Sequence, residues 1–120
     1  MNALKENIRG IFNKIILPAP NGKVVIDVNN IIRCEAQINY TIFHLMNKDK
    51  ITTSKTLKEY QELLGEYSFF CIQKSHLVNL IHVKRYYSGR GGQLEMKDGT
   101  LLQVSRDQKK LLLEKLSTFS

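Results

Sequence analysis

Turn-forming clusters recur so closely along this chain that little but short strands fits between them. Pro18-Ala19-Pro20-Asn21-Gly22, Asp27-Val28-Asn29-Asn30, Asn47-Lys48-Asp49-Lys50, Ser88-Gly89-Arg90-Gly91-Gly92 and Asp98-Gly99 each combine residues that favour turns. The runs they bound, 15–17, 23–26, 31–36, 39–46, 51–54, 94–97 and 100–104, are short and rich in β-branched, aromatic or aliphatic residues. Asn21-Gly22 closes a Pro-containing loop between the first two, and Asp98-Gly99 predicts a type I′ hairpin. The stretch 69–79 reads as a further half-buried strand ending in an Asn turn, followed by 80–83 and Tyr86-Tyr87.

Helical periodicity appears in three places. Leu4, Ile8, Ile11 and Phe12 form one stripe over 3–13, weakened by Gly10. Thr56-Leu57-Lys58-Glu59 is a capping box opening a helix over 57–64, with Leu57, Tyr60, Leu63 and Leu64 on its apolar face. Gly65 offers the left-handed conformation that ends it. Ser105-Arg106-Asp107-Gln108 is a second box, opening a helix with Leu111, Leu112 and Leu116 on one side. About eight or nine strands against two or three short helices, with no βαβ rhythm, predict a mainly β fold with small α+β content and antiparallel sheets.

The chain of 120 residues makes one domain with a modest core, here 15–120, preceded by a linker or helix at 1–14. No apolar run approaches the length that spans a bilayer, and the N-terminus lacks the apolar core of a signal peptide, so the expected location is cytoplasmic. Cys34 and Cys71 are too few and too far apart for a disulfide framework or a metal knuckle, and read as buried free thiols.

Catalytic chemistry finds no good arrangement. His44, His76 and His82 lack helical partners of ligand type, so no metal is expected. Ser75 and His76 are adjacent, so on a strand they point to opposite faces and cannot pair. Paired carboxylates and a phosphate loop leading into a helix are both lacking. The reading is a non-enzyme without cofactor.

Charge points elsewhere. No Asp or Glu occurs between Glu66 and Glu95, while that interval carries Lys74, Lys84, Arg85 and Arg90, four of the net +7. A one-signed face attracts phosphate backbones or anionic membranes. The amides among these cations suit base edges, for which a membrane has no use. Asn39 precedes a strand, Asn79 closes one and Arg106 begins the last helix, all at element ends where loops project. The plain alternative for each Asn is an Asx turn satisfying its own backbone, and for Arg106 a surface position on a helix.

The order of these elements resembles the LytTR domain, a DNA-binding module of bacterial response regulators (the LytR/AlgR-like family), over about 16–116. Ile31-Ile32-Arg33-Cys34-Glu35-Ala36 with Asn39-Tyr40-Thr41 follows the family's "I..IE...NYT" pattern, and Thr56-Leu57-Lys58-Glu59 its "TLKE". The stretch Phe69-Phe70-Cys71-Ile72-Gln73-Lys74-Ser75-His76-Leu77-Val78-Asn79 follows "F.R.HRSYLVN", and Leu102-Gln103-Val104-Ser105-Arg106 follows "L.VSR". The resemblance implies short antiparallel sheets side by side, loops that enter successive major grooves of double-stranded DNA, and repeated half-sites bound by a homodimer. It carries DNA-contacting roles onto Asn39, Asn79 and Arg106, with Lys74, Ser75 and Lys109 as phosphate or supporting contacts. Mutation of Arg106 or Asn79 is then expected to abolish specific binding with the fold intact. Gln73-Lys74 stands where the family has His-Arg, and Lys keeps the charge but loses the bidentate fork. His76 replaces a Tyr, and Cys71-Ile72 stand where an Arg is usual. The family's architecture leaves open a missing N-terminal receiver or sensor domain or a free-standing regulator.

Two rival readings follow from the same residues. An RNA or single-strand binder would use Phe69, Phe70, Tyr86 and Tyr87 as stacking platforms, and requires them exposed. A basic protein-interaction module would dock an acidic partner and ignore nucleic acid.

Overall fold

The computed structural model describes residues 13–119; the helix expected over 3–13 lies outside the described residues but for its last position. In chain order the elements are β1 (Lys14–Ala19), β2 (Gly22–Asp27), a 3-10 turn (Val28–Asn30), β3 (Ile31–Ala36), β4 (Thr41–Leu45), β5 (Lys50–Thr53) and α1 (Leu57–Leu64). There follow β6 (Phe69–Gln73), β7 (His76–Asn79), a second 3-10 turn (Leu80–His82), β8 (Val83–Tyr87), β9 (Gln93–Met96), β10 (Leu101–Gln103), a third 3-10 turn (Arg106–Gln108) and α2 (Lys109–Ser117). All pairing is antiparallel, in three sheets: β1-β2, β5-β4-β3-β7-β6 and β10-β9-β8.

Strand alternation divides the five-stranded sheet between two cores. One face carries Cys34, Phe43 and Leu77 and packs on α1 and the β1-β2 hairpin through Leu57, Tyr60, Leu64, Ile15 and Leu17. The other carries Ile32, Phe70, Ile72 and Val78 and packs on Leu94, Met96 and Leu102 of the three-stranded sheet and Leu112 of α2. Tyr60 fixes α1 by two contacts of different kinds. Its ring meets Phe43 edge-on with centroids 4.7 Å apart, and its hydroxyl donates to Thr53 Oγ1 at 2.8 Å. Truncating such a buried aromatic costs about 3–5 kcal/mol.

Local chemistry explains most of the elements and corrects several expectations. The Thr56–Glu59 capping box forms as expected. Gly65, however, stays right-handed (φ −63°, ψ −19°), and Leu63 of α1 is exposed. Leu111 is likewise exposed, and α2 buries Leu112 instead. The second capping box does not form, because the Gln108 N–H donates to the Ser105 backbone carbonyl (3.1 Å) and a 3-10 turn precedes the helix. The hairpin at Asp98-Gly99 is present, but only Gly99 has positive φ (+90°). Gly99 N and Met96 N bond the Met96 and Thr100 carbonyls, so the loop is three residues closed by a left-handed glycine, and not type I′.

The largest correction falls on 69–79, which is a hairpin, β6 and β7, and not one strand. Gln73 pairs with His76, leaving Lys74-Ser75 as the turn, with a bulge between Cys71 and Gln73. The turn brings Ser75 Oγ to 3.3 Å from His76 Nδ1, a pairing that a continuous strand would forbid. Both thiols are free; Cys34 is buried and Cys71 half-buried. They flank Leu77 on successive strands, which sets them roughly 10 Å apart, beyond disulfide reach.

Candidate nucleic-acid interface

Antiparallel register gathers the sequence's candidate loops at one edge. Glu35 pairs with His76 and Ala36 with Thr41, so the β3-β4 loop (37–40) and the β6-β7 turn leave the same end of the five-stranded sheet. Ala36 N donates to Ser75 O (2.9 Å), tying the two together. On the far side of the turn, Ser105 N donates to Ile72 O (2.9 Å) and Gln73 Nε2 to Gln103 O (2.7 Å). The Gln103 side chain then donates to the carbonyls of Arg90 and Gly92 (3.1 and 3.0 Å), and Val104 N to Gly92 O (3.0 Å). Loop 37–40, turn 74–75, junction 104–106 and loop 88–92 thus form one hydrogen-bonded rim across two sheets.

On this rim the side chains of Asn39, Lys74, Arg90 and Arg106 are exposed and make no hydrogen bond or ion pair among the described residues. Lys109 lies half-buried beside loop 88–92. Gly92 adopts φ +98°, and a Cβ there would come 2.7 Å from Tyr86 Oη and 3.0 Å from Lys109 Cε. The glycine therefore lets the Lys109 stem lie across the loop. Ser75 is half-buried, its hydroxyl 3.3 Å from Gln73 Oε1 as well as from His76.

Asn79 is elsewhere. Its side chain is 0% exposed at the opposite end of β7. Nδ2 donates to Ile31 O (3.0 Å), while Oδ1 accepts from Ser68 Oγ (2.6 Å) and Ile81 N (3.3 Å), capping the second 3-10 turn. Buried, and bonded within the protein through both its oxygen and its nitrogen, this amide is out of reach of a base edge; contrary to the sequence expectation, Asn79 is a scaffold residue.

The one-signed interval is also divided. Lys74 and Arg90 reach the rim. Lys84 lies 3.8 Å from Glu95 on the three-stranded sheet, and the Arg85 guanidinium sits 5.5 Å from the Tyr87 ring centre. Two of the four cations therefore face carboxylate or ring. Of the aromatics offered as stacking platforms, Phe70 is buried and Phe69 packs against the first core. Arg90 and Gln103 belong to the rim, though nothing about either in isolation said so. Arg90 stood out only as part of a basic, glycine-rich loop.

Beneath the rim, Glu35 is the local anchor. Its Oε1 accepts from His44 Nε2 (2.9 Å) and meets Arg33 at 3.4 Å, while Oε2 accepts from Gln37 Nε2 (3.1 Å). Burial raises the Glu35 pKa, but the His44 hydrogen bond and Arg33 outweigh it and hold the carboxyl below its usual range. Burial pulls His44 and His76 below the ordinary histidine value, which favours their neutral forms.

Residues 21–117 match the family model of the LytTr DNA-binding domain. Among solved structures, the chain superposes with a TM-score of 0.73 on one described as the LytTr DNA-binding domain of a methyl-accepting/DNA response regulator from Bacillus cereus. The two are 23% identical, over 87% of this chain and 96% of that one. No curated protein sequence matches the chain. The structural likeness establishes the fold, mainly antiparallel sheets with short helices, and the family match spans nearly every element described above: this chain belongs to the LytTr DNA-binding domain family.

Proposed function

We propose that this DNA-binding domain reads double-stranded DNA sequence-specifically as the output module of a bacterial transcription regulator, with the rim loops entering the major groove. One observation carries the reading. The side chains suited to base edges and phosphates, Asn39, Arg106 and Lys74, stand exposed and unpartnered on a single bonded rim. Asn39 and Arg106 are assigned to base edges, where an amide suits adenine and a guanidinium suits guanine. Lys74, Ser75 and Lys109, joined by Arg90, are assigned to the phosphates that set register. Among the described residues no helix is long and apolar enough to cross a membrane. A cytoplasmic regulator, bound as a homodimer to repeated half-sites and governed by a receiver or sensor domain, fits that role.

The test is selection of bound duplexes from a random pool, with binding measured at several salt concentrations. An enriched motif, repeated near one helical turn, is expected. A steep salt slope without a motif would leave charge but remove base reading from Asn39 and Arg106. Indifference to duplex at low salt would turn attention to RNA and then to an acidic protein. Of the four aromatics the single-strand alternative needs, Phe70 is buried, Phe69 and Tyr86 pack against the cores and Tyr87 is exposed, which weakens that alternative.

A further inference from the structure

Ile38 is 95% exposed, the most exposed of the large apolar side chains among the described residues. It stands at the tip of the β3-β4 loop, between Gln37 and Asn39. The loop is held in place: Gln37 N donates to Tyr40 O (2.8 Å), Ala36 N to Ser75 O (2.9 Å), and the Gln37 side chain to Glu35 (3.1 Å). None of these bonds needs an aliphatic residue at position 38, and Ile38 belongs to neither core. For folding alone, a polar residue at this tip would serve as well or better.

Its neighbours on the rim indicate what covers it. Asn39 is adjacent in sequence, and Lys74 sits on the turn bonded to this loop. A loop carried into a major groove by such groups meets a floor of donors and acceptors on which the one apolar feature is the thymine C5-methyl. We infer that Ile38 is a specificity residue that packs on a thymine methyl beside the base read by Asn39, so that the loop favours an A·T-containing step. This rests on the DNA-reading rim proposed above. The pairing is chemically complementary: the amide bridges the adenine N6 and N7 positions, while the branched side chain covers the methyl of a neighbouring pair.

The experiment uses the selected operator, with each thymine replaced in turn by deoxyuridine, which removes only the methyl. Wild type should lose about fourfold in affinity at one particular thymine, the effect of one buried carbon. Ile38→Ala should bind the thymine operator correspondingly more weakly and show no further loss on the deoxyuridine duplex. Its circular dichroism should match wild type, because the side chain touches no core. An enriched motif with no deoxyuridine effect at any position overturns the inference while leaving the DNA-reading rim in place. So does an equal deoxyuridine penalty in Ile38→Ala. A change in solution mass on the same substitution would assign Ile38 to a contact between copies and also overturn it. Failure of wild type to select any motif would instead strike the parent reading.

Discussion

The two ends of the sheets use the same residue types for opposite purposes. At the end where β3 begins, Asp27, Asn47, Asn79 and Asp98 each accept from the N–H two residues on, at Asn29, Asp49, Ile81 and Thr100. Their side chains are consumed in making turns. At the rim end, loop 37–40 closes through the backbone bond from Gln37 N to Tyr40 O, and the side chain of Asn39 is left over. An Asn at a strand end is thus ambiguous until one asks whether its neighbour's N–H already has a partner. At one end these side chains are used up in turns; at the other Asn39, beside Lys74 and Arg106, is left without a protein partner among the described residues, which is what the proposed DNA contact requires.

That contrast is sharpest at Asn79 against Asn39. Asn79→Ala removes the buried partner of Ile31 O and the part-buried partners of Ser68 Oγ and Ile81 N, and should cost about 2–4 kcal/mol in urea unfolding. Any loss of DNA binding should then follow the unfolded fraction. A normally stable Asn79→Ala that fails to bind would break the contrast. Next in size, Arg106→Ala and Asn39→Ala should each weaken operator binding by about 1–3 kcal/mol while leaving the unfolding midpoint unchanged. Lys74→Ala should weaken binding to all duplexes alike and reduce the magnitude of the salt slope by about one.

The smallest effect belongs to the folding end. Asp98→Ala should cost about 0.5–1 kcal/mol of stability at pH 7 and nothing in DNA affinity. Partial burial raises the Asp98 carboxyl, but bonds from the Thr100 N–H and hydroxyl prevail and lower it below its ordinary value. A folded-state pKa below the unfolded one stabilises the native state above the unfolded value, and that contribution disappears as pH falls through the folded one. The gap between wild type and Asp98→Ala should therefore close in acid, measured as the difference in urea midpoints from pH 7 downward.

How far the sequence reveals these features depends on how local the cause is. The Thr56–Glu59 box and the glycine-closed hairpin at Gly99 rest on contacts within five residues, so pattern reading places them well. The β6-β7 turn escaped because it needs no special residue. Lys74 and Ser75 both keep negative φ, since Lys48 and Arg90 are the only described non-glycine residues at positive φ. With no Gly, Pro or Asn to mark it, strand-like alternation runs straight through. The rim itself is less legible still, because Gln73 and Gln103 are 30 residues apart and nothing in either predicts their bond. Asn39 and Arg106 stand at element ends in the sequence, and the structure leaves both side chains exposed. Asn79 shares that position in the sequence, but its burial comes from β3 and from Ser68, outside its own segment, where no local pattern shows it.

The pairing of β3 with β7 also bears on how the chain reaches this state. Among the described residues every other strand pair joins sequence neighbours. Arg33 with Val78, Cys34 with Leu77 and Glu35 with His76 are the sole ladder that must close a long loop. The hairpins close short loops, whereas this junction bears the larger loop-closure entropy and is expected to set the folding rate. Its residues are where the folding nucleus should lie, so core truncation at Cys34 or Leu77 should slow folding, whereas truncation of Ile15 in the β1-β2 hairpin should chiefly speed unfolding.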